Sequence, residues 1–390
     1  MSSQSAPPVQ PLPSASALRL FTGALPKEIA EKAASYIATP GADPVFAWTV
    51  ATALTEFVAA TGRNGVGEEH RTSALMGYLA SFMGTYSLLA GMSGNEPSTR
   101  MLWHAANKRS SKAAGLGESE TGGDFGIAIP VGRDSFRISF FQAKNHHGGR
   151  LDLRRPPRAD TSSNWPKTIA AANLRLARWA TDGVIDPREH AAAVPNHQMF
   201  KLAAVQKRGN GAKGTASWVH YAVWSASAPV CFSLDSFRQA LAPTLRQLRA
   251  AAEETRKSVS HVAAMVVEQL SGATLAEEPL KRQDFGRHLV EGAAGASSGW
   301  LELPMTEIVK IVGNFVELGG DWYFLDERGG SRAAELTEAV NREAVARGDL
   351  APLEKAVALS VIALGSGAQP ATGLNASATS TRSASARTPK

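Results

Sequence analysis

Three side chains near the middle of this sequence have types suited to one kind of chemistry: Asp124, Gln142 and Lys144. A carboxylate and an amide carbonyl are hard oxygen donors, the kind that Mg²⁺ or Mn²⁺ prefers. A cation held by Asp124 and Gln142 would polarise a phosphate and lower the pKa of a bound water. An ammonium group at Lys144 would hold the attacking water and stabilise charge building on phosphorus. Hydrolysis of a phosphodiester bond is the reaction for which this trio is equipped.

Eighteen residues separate the aspartate from the glutamine, so a local fold must bring them together. Residues 124–144 read DFGIAIPVGRDSFRISFFQAK. Phe125, Ile127, Ile129 and Val131 alternate with small residues, and Gly132 to Ser135 form a turn cluster. Beyond it, Phe136, Ile138 and Phe140 alternate with Arg137 and Ser139. Period-two runs on either side of a turn predict a β-hairpin. A turn centred near residue 134 pairs residues whose numbers sum to about 268. Asp124 then faces Lys144, with Gln142 on the same face of the partner strand.

The elements around the hairpin read mostly as helix. Pro26 opens one over KEIAEKAASYIA. Residues 44–61 place Phe46, Val50, Leu54 and Val58 at helical spacing. A third helix opens at Glu68-Glu69, acids that suit its positive end. A fourth is expected from about Pro97 to Ala114. Beyond the Gly/Pro/Arg-rich loop 145–165, helices are expected at 166–181 and from Asn196 to Lys207. Strands are expected at 217–224 and 229–233. The remainder is mostly helical, clearest at 235–248, 250–271, 303–317 and 331–347, with a short strand at Trp322–Leu325.

Composition excludes several classes. The single cysteine, Cys231, rules out intrachain disulfides and Cys-rich zinc sites. The apolar stretch Pro44–Ala60 carries Thr49, Thr52, Thr55 and Glu56, too polar for a membrane span. The start, MSSQSAPPVQPLPSAS, lacks the basic and apolar regions of a secretory signal. A cytoplasmic protein without a membrane partner is therefore expected. The net charge of +6 on 390 residues is unevenly spread. Residues 107–213 carry 18 basic and 9 acidic side chains, whereas both flanks are slightly acidic. A local basic excess is the footprint of a phosphate-bearing partner, although a solvated basic face gives the same count.

An aspartate, a hairpin, and then Gln-Ala-Lys at the end of an apolar strand resembles the PD-(D/E)XK nuclease superfamily. The QAK form resembles its Mrr-like branch, where glutamine replaces the usual glutamate. The lead-in Glu118-Ser119-Glu120-Thr121-Gly122-Gly123-Asp124 is similar to that family's Thr-Gly-Asp approach. Glu69-His70-Arg71-Thr72 looks like the helix that lends a further acid. Gln198-Met199-Phe200-Lys201-Leu202 and the strand after it resemble the helix and strand completing the core. The likeness covers about residues 65–235.

The resemblance implies an α/β (α+β) restriction-endonuclease-like core with a mixed sheet flanked by helices. Composition and periodicity, outside that likeness, read residues 1–17 as a disordered lead and 18–115 as a helical part contributing to the core. The nuclease-like core is 116–235, followed by a mostly helical region at 236–365 and a disordered tail at 366–390. The resemblance implies a Mg²⁺- or Mn²⁺-dependent endonuclease acting on DNA in preference to RNA, in restriction or anti-phage defence. The alternative is a non-catalytic nucleic-acid-binding or adaptor protein on the same fold. A homodimer, or a partner docking on the C-terminal helices, would be its company.

Because Gln142 is neutral, a further acid is needed. Glu69 and Glu120 lead, with Glu68 and Glu118 as competitors, against the plainer readings of helix-dipole complementation and a solvated acidic loop. Arg150, Arg154, Arg155, Arg158, His146, Lys207 and Arg208 are the candidate contacts to the nucleic-acid backbone. His147 is a weaker candidate. Trp218, Tyr221, Trp224 and Cys231 read as core.

Overall fold

The computed structural model describes residues 26–62, 66–92, 101–106, 123–131, 135–146, 153, 155–157, 159, 161–186, 195–210, 216–225, 228–271, 282–295, 299–304 and 320–325. Helices α1 (Lys27–Ile37), α2 (Pro44–Thr61) and α3 (Glu68–Met92) come first. Strands β1 (Met101–Ala106), β2 (Phe125–Val131) and β3 (Ser135–Asn145) follow. Then come α4 (Trp165–Asp182), α5 (Gln198–Asn210), β4 (Val219–Trp224) and β5 (Val230–Ser233). The last described elements are α6 (Leu234–Glu254), α7 (Val259–Ser271), β6 (Gln283–Asp284), α8 (Phe285–Ala294), β7 (Leu301–Pro304) and β8 (Gly320–Leu325).

One mixed sheet organises them, in the order β6-β5-β4-β3-β2-β1-β8, with β7 paired to β3 off that path. Strands β1, β2 and β3 form an antiparallel meander. Strand β4 lies parallel to β3, and such a pair needs a long crossover, supplied here by α4 and α5. The fold is therefore α+β with helices on both faces. One core joins Phe136, Ile138 and Phe140 of β3 to Leu176, Phe200, Phe237 and Val266 from α4 to α7. The other joins Phe141 and Ala143 to Phe46, Leu54, Leu79 and Leu289 from α2, α3 and α8. Strand β3 is thus buried on both faces, which is why its apolar residues run on at 140 and 141 instead of alternating to the end.

Helix α2 is the one described helix long and apolar enough to cross a membrane, and 61% of it is buried inside the protein. Asp43 caps its start by accepting from the backbone N–H of Val45 (2.8 Å) and Phe46 (3.3 Å). Tyr221, Trp224 and Cys231 in apolar strands, and Trp218 directly before β4, are all fully buried.

Several expectations need correction. The segment expected as a helix over 97–114 contains strand β1, hydrogen-bonded to β2 on one edge and β8 on the other. Its apolar run is short, and such a run fits a strand as well as a helix until its neighbours decide. The residues around β1, 93–100 and 107–122, lie outside the described ones. The expected helix 250–271 breaks at Thr255–Ser258, where Arg256 adopts a φ of 53°. At the start of the expected helix 303–317, Leu301–Pro304 is instead a strand on β3, and 305–319 lies outside the described residues. The expected helix 331–347 also lies outside them. Helix α8 was not anticipated.

The region 236–365 is therefore more than a helical addition, because β6, β7 and β8 extend the same sheet. Arg137 ties it down. Its guanidinium donates to the Gly292 and Ala293 carbonyls at the end of α8 (3.1 and 3.2 Å) and pairs with Glu302 of β7 (2.9 Å). Next to it, Ser139 Oγ lies 3.2 Å from His220 Nδ1 and 3.3 Å from His288 Nε2. The two imidazole rings sit 4.4 Å apart, and His288 stacks on Trp300. Gly299 permits this closure, since a Cβ there would come within 2.8 Å of the His288 ring.

Both imidazoles are enclosed, and burial holds their pKa values down, His220 to about 4 and His288 well below its ordinary range, with His220 adding to the effect. The folded protein keeps them neutral while the unfolded chain protonates them below about pH 6.5. Stability is therefore complete above pH 6.5 and falls as the pH drops toward 4. For His220 the loss is on the order of 3 kcal/mol. Denaturant unfolding between pH 7.5 and 4 should show this decline, with a smaller slope for His220→Gln than for the unaltered protein.

Candidate active site

The β2–β3 ladder runs from Val131↔Ser135 to Phe125↔Phe141, so paired numbers sum to 266. The connection is the three-residue stretch 132–134, one place earlier than the expected centre. Asp124, just past the last pair, therefore lies beside Gln142 instead of Lys144. Because the slip amounts to two residues in the partner strand, the face is unchanged. Asp124, Gln142 and Lys144 share the face covered by α4 and α5.

The hydrogen bonds there are continuous. The Asp124 Oδ2 accepts from the Gln142 side-chain Nε2 and from the Ala143 backbone N–H (2.8 Å). In effect the carboxylate takes over as acceptor where the β2 backbone stops. The Gln142 Oε1 accepts from Gln198 Nε2 (2.6 Å), and the Gln198 Oε1 accepts from Lys144 Nζ (3.1 Å). Gln142 is fully buried, and Gln198 and Lys144 are buried to all but 6% and 9% of their surfaces. Gly123 permits the close approach of the strands, since a Cβ there would overlap the Phe140 ring at 2.1 Å.

Gln198 was missed as a site residue. It opens α5, whose Met199, Phe200, Leu202 and Val205 are buried. A glutamine on the buried stripe of a helix, at i, i+4 and i+7 with Leu202 and Val205, was the available signal. Its placement is enforced from two sides. The Gln198 backbone N–H donates to the Arg155 carbonyl (3.0 Å), where Arg155 has a φ of 35°. The preceding residues are pinned to α4, His197 to Asn173 at 2.8 Å and Asn196 to Arg175 at 2.5 Å. The loop leading to Arg155 is held by Tyr221, whose hydroxyl donates to the Leu153 carbonyl (2.9 Å).

Helix α3 covers the opposite face of the sheet, with its first turn at the end of β3. There Glu68 Oε2 accepts from the Asn145 backbone N–H (3.2 Å), and the Val66 carbonyl accepts from Asn145 Nδ2 (3.2 Å). Arg71 donates to the Trp224 carbonyl (3.0 Å), fixing the same turn to β4. Glu68 thus meets the strand end, while Glu69 is exposed on the same turn. Glu118 and Glu120 lie outside the described residues.

Among the expected nucleic-acid contacts, His146 is half-buried directly beyond β3, its backbone N–H donating to Trp224 O (3.2 Å). Arg155 and Lys207 are exposed. Arg150, Arg154, Arg158 and His147 lie outside the described residues, as does the side chain of Arg208.

In kind, the donor set suits a small hard cation: one carboxylate and one amide. In orientation it does not, because Gln142 turns its N–H toward the carboxylate and its oxygen away. Among the described residues, no three His, Cys, Asp or Glu side chains converge as a metal-holding group.

Compared with protein-family models, curated proteins and solved structures, the chain matches none.

Removing the Asp124 carboxylate leaves two buried donors, Gln142 Nε2 and Ala143 N–H, without this acceptor. Asp124→Ala should cost about 1–3 kcal/mol in chemical denaturation. Asp124→Asn keeps one oxygen for Ala143 and should recover at least half of that loss.

Proposed function

We propose that this chain is a metal-dependent nuclease with a restriction-endonuclease-like core, cutting DNA in preference to RNA in cytoplasmic defence against foreign DNA. The observation that carries the proposal is the row Lys144–Gln198–Gln142–Asp124 at the end of the central strand, buried up to its half-buried aspartate. A strand end with no chemical task would be filled more stably by apolar side chains, since burying an ammonium group is costly. The order α3, hairpin β2–β3, then α5 and β4 supports the same reading, because the Asp…Gln-x-Lys resemblance calls for these elements.

In this reading Asp124 and the Gln142 oxygen would hold Mg²⁺ or Mn²⁺, which supplies charge neutralisation and an activated water. Lys144, freed from Gln198, donates to the attacking water or to a non-bridging phosphate oxygen. Arg155, Lys207 and His146 meet the nucleic-acid backbone by charge, without reading bases. Glu68 and Glu69, at the same strand end, are the described acids nearest in the chain's architecture to a supporting role.

A second reading is favoured by one observation: the described site contains a single carboxylate beside the neutral Gln142. A protein that binds nucleic acid on this fold without cutting it needs no more than that. The two readings separate in one assay. Plasmid, linear duplex, single-stranded DNA and RNA are incubated with Mg²⁺ or Mn²⁺ beside Lys144→Ala and Asp124→Asn proteins. Cleavage by the unaltered chain should fall at least about 10²-fold in each variant. Undiminished cleavage by Asp124→Asn overturns the assignment, and salt-sensitive binding without cleavage in either metal selects the second reading.

A further inference from the structure

The row from Lys144 to Asp124 has a direction. An ammonium group only donates and an ionised carboxylate only accepts. The two amides between them, Gln198 and Gln142, must then run head to tail, each nitrogen toward Asp124 and each oxygen toward Lys144. The contacts follow this rule: Lys144 Nζ to Gln198 Oε1, Gln198 Nε2 to Gln142 Oε1, Gln142 Nε2 to Asp124 Oδ2. No other orientation of the amides satisfies both ends.

This polarity is opposite to the one a cation at Asp124 requires. To offer its oxygen beside the carboxylate, Gln142 must turn its amide over, which points its N–H at Gln198. Gln198 can accept that N–H only by turning as well, and its own N–H then faces the Lys144 ammonium, donor against donor. The two amides and the lysine are therefore coupled, and Gln142 Nε2 also donates to the Ala143 carbonyl (2.9 Å): the oxygen of Gln142 becomes available when Lys144 gives up Gln198 and this second bond is broken.

Resting on the nuclease reading, we propose that Gln198 is a positioning residue that latches the site in a cation-excluding form. Opening the latch does two things together, exposing the Gln142 oxygen beside Asp124 and releasing the Lys144 ammonium toward the space where a phosphate would lie. The arrangement keeps the free protein from holding a divalent ion tightly, and a substrate phosphate that draws Lys144 away favours loading.

The test is Mn²⁺ and Mg²⁺ binding by isothermal calorimetry, without substrate, on the unaltered protein, Gln198→Met and Gln198→Glu. Methionine keeps the shape and removes both hydrogen bonds, so cation affinity should rise by about five- to tenfold, the worth of one hydrogen bond. Glutamate accepts from Lys144 and from a turned Gln142 alike, and should raise affinity at least as much. Side-chain amide resonances of Gln142 and Gln198 should shift together on Mg²⁺ addition to the unaltered protein, a readout that does not depend on a variant folding. Equal or weaker affinity in folded Gln198→Met, or a shift of Gln142 alone, overturns the latch and leaves the nuclease reading standing. No cation binding in any of the three proteins overturns both.

Discussion

Burial of a lysine at the end of β3 is the constraint on which the rest of the site depends. An ammonium group taken out of water must find acceptors, and the Asp124 carboxylate on its face lies one strand away. Two glutamines span that gap. Each needs its own support: Gln142 from a strand buried on both faces, Gln198 from a helix start pinned to α4, to the 153–157 loop and through that loop to Tyr221. The crossover between β3 and β4 thus does more than join parallel strands, because its second helix delivers the residue that completes the row.

The two faces of the sheet divide the work. The α4–α5 face carries the charged row. The α3 face carries no side chain of that row, yet its first helical turn closes the strand end, where Glu68 and Val66 take both N–H groups of Asn145 and Arg71 holds Trp224. The odd and even positions of one strand thereby separate closure of the strand end from the charged row.

Much of this was legible in the residues. Alternation over 124–144 gave the hairpin, and because side chains repeat every two residues, even a misplaced turn kept Asp124, Gln142 and Lys144 on one face. Buried Trp218, Tyr221, Trp224 and Cys231 followed from their apolar strands. What was not legible depended on partners distant in the chain. MLWHAA is a strand because β2 and β8 flank it. LELP is a strand because β3 has an open edge there. Gln198 joins the site only once the crossover has folded back; its place on the buried stripe of its helix marks it as enclosed, without saying what it meets.

The neighbours of β3 change along its length. Residues 140–145 pair with β4, whereas residues 135–138 on the same side pair with β7, a strand that arrives some 160 residues later in the chain. A protein shortened to end after β5 would keep every residue of the charged row and lose the partner of that upstream half. It would expose an unpaired strand edge of the sort that recruits other chains into aggregates. During synthesis the same edge stays open until residues 301–304 emerge, so a strand made late covers an edge made early.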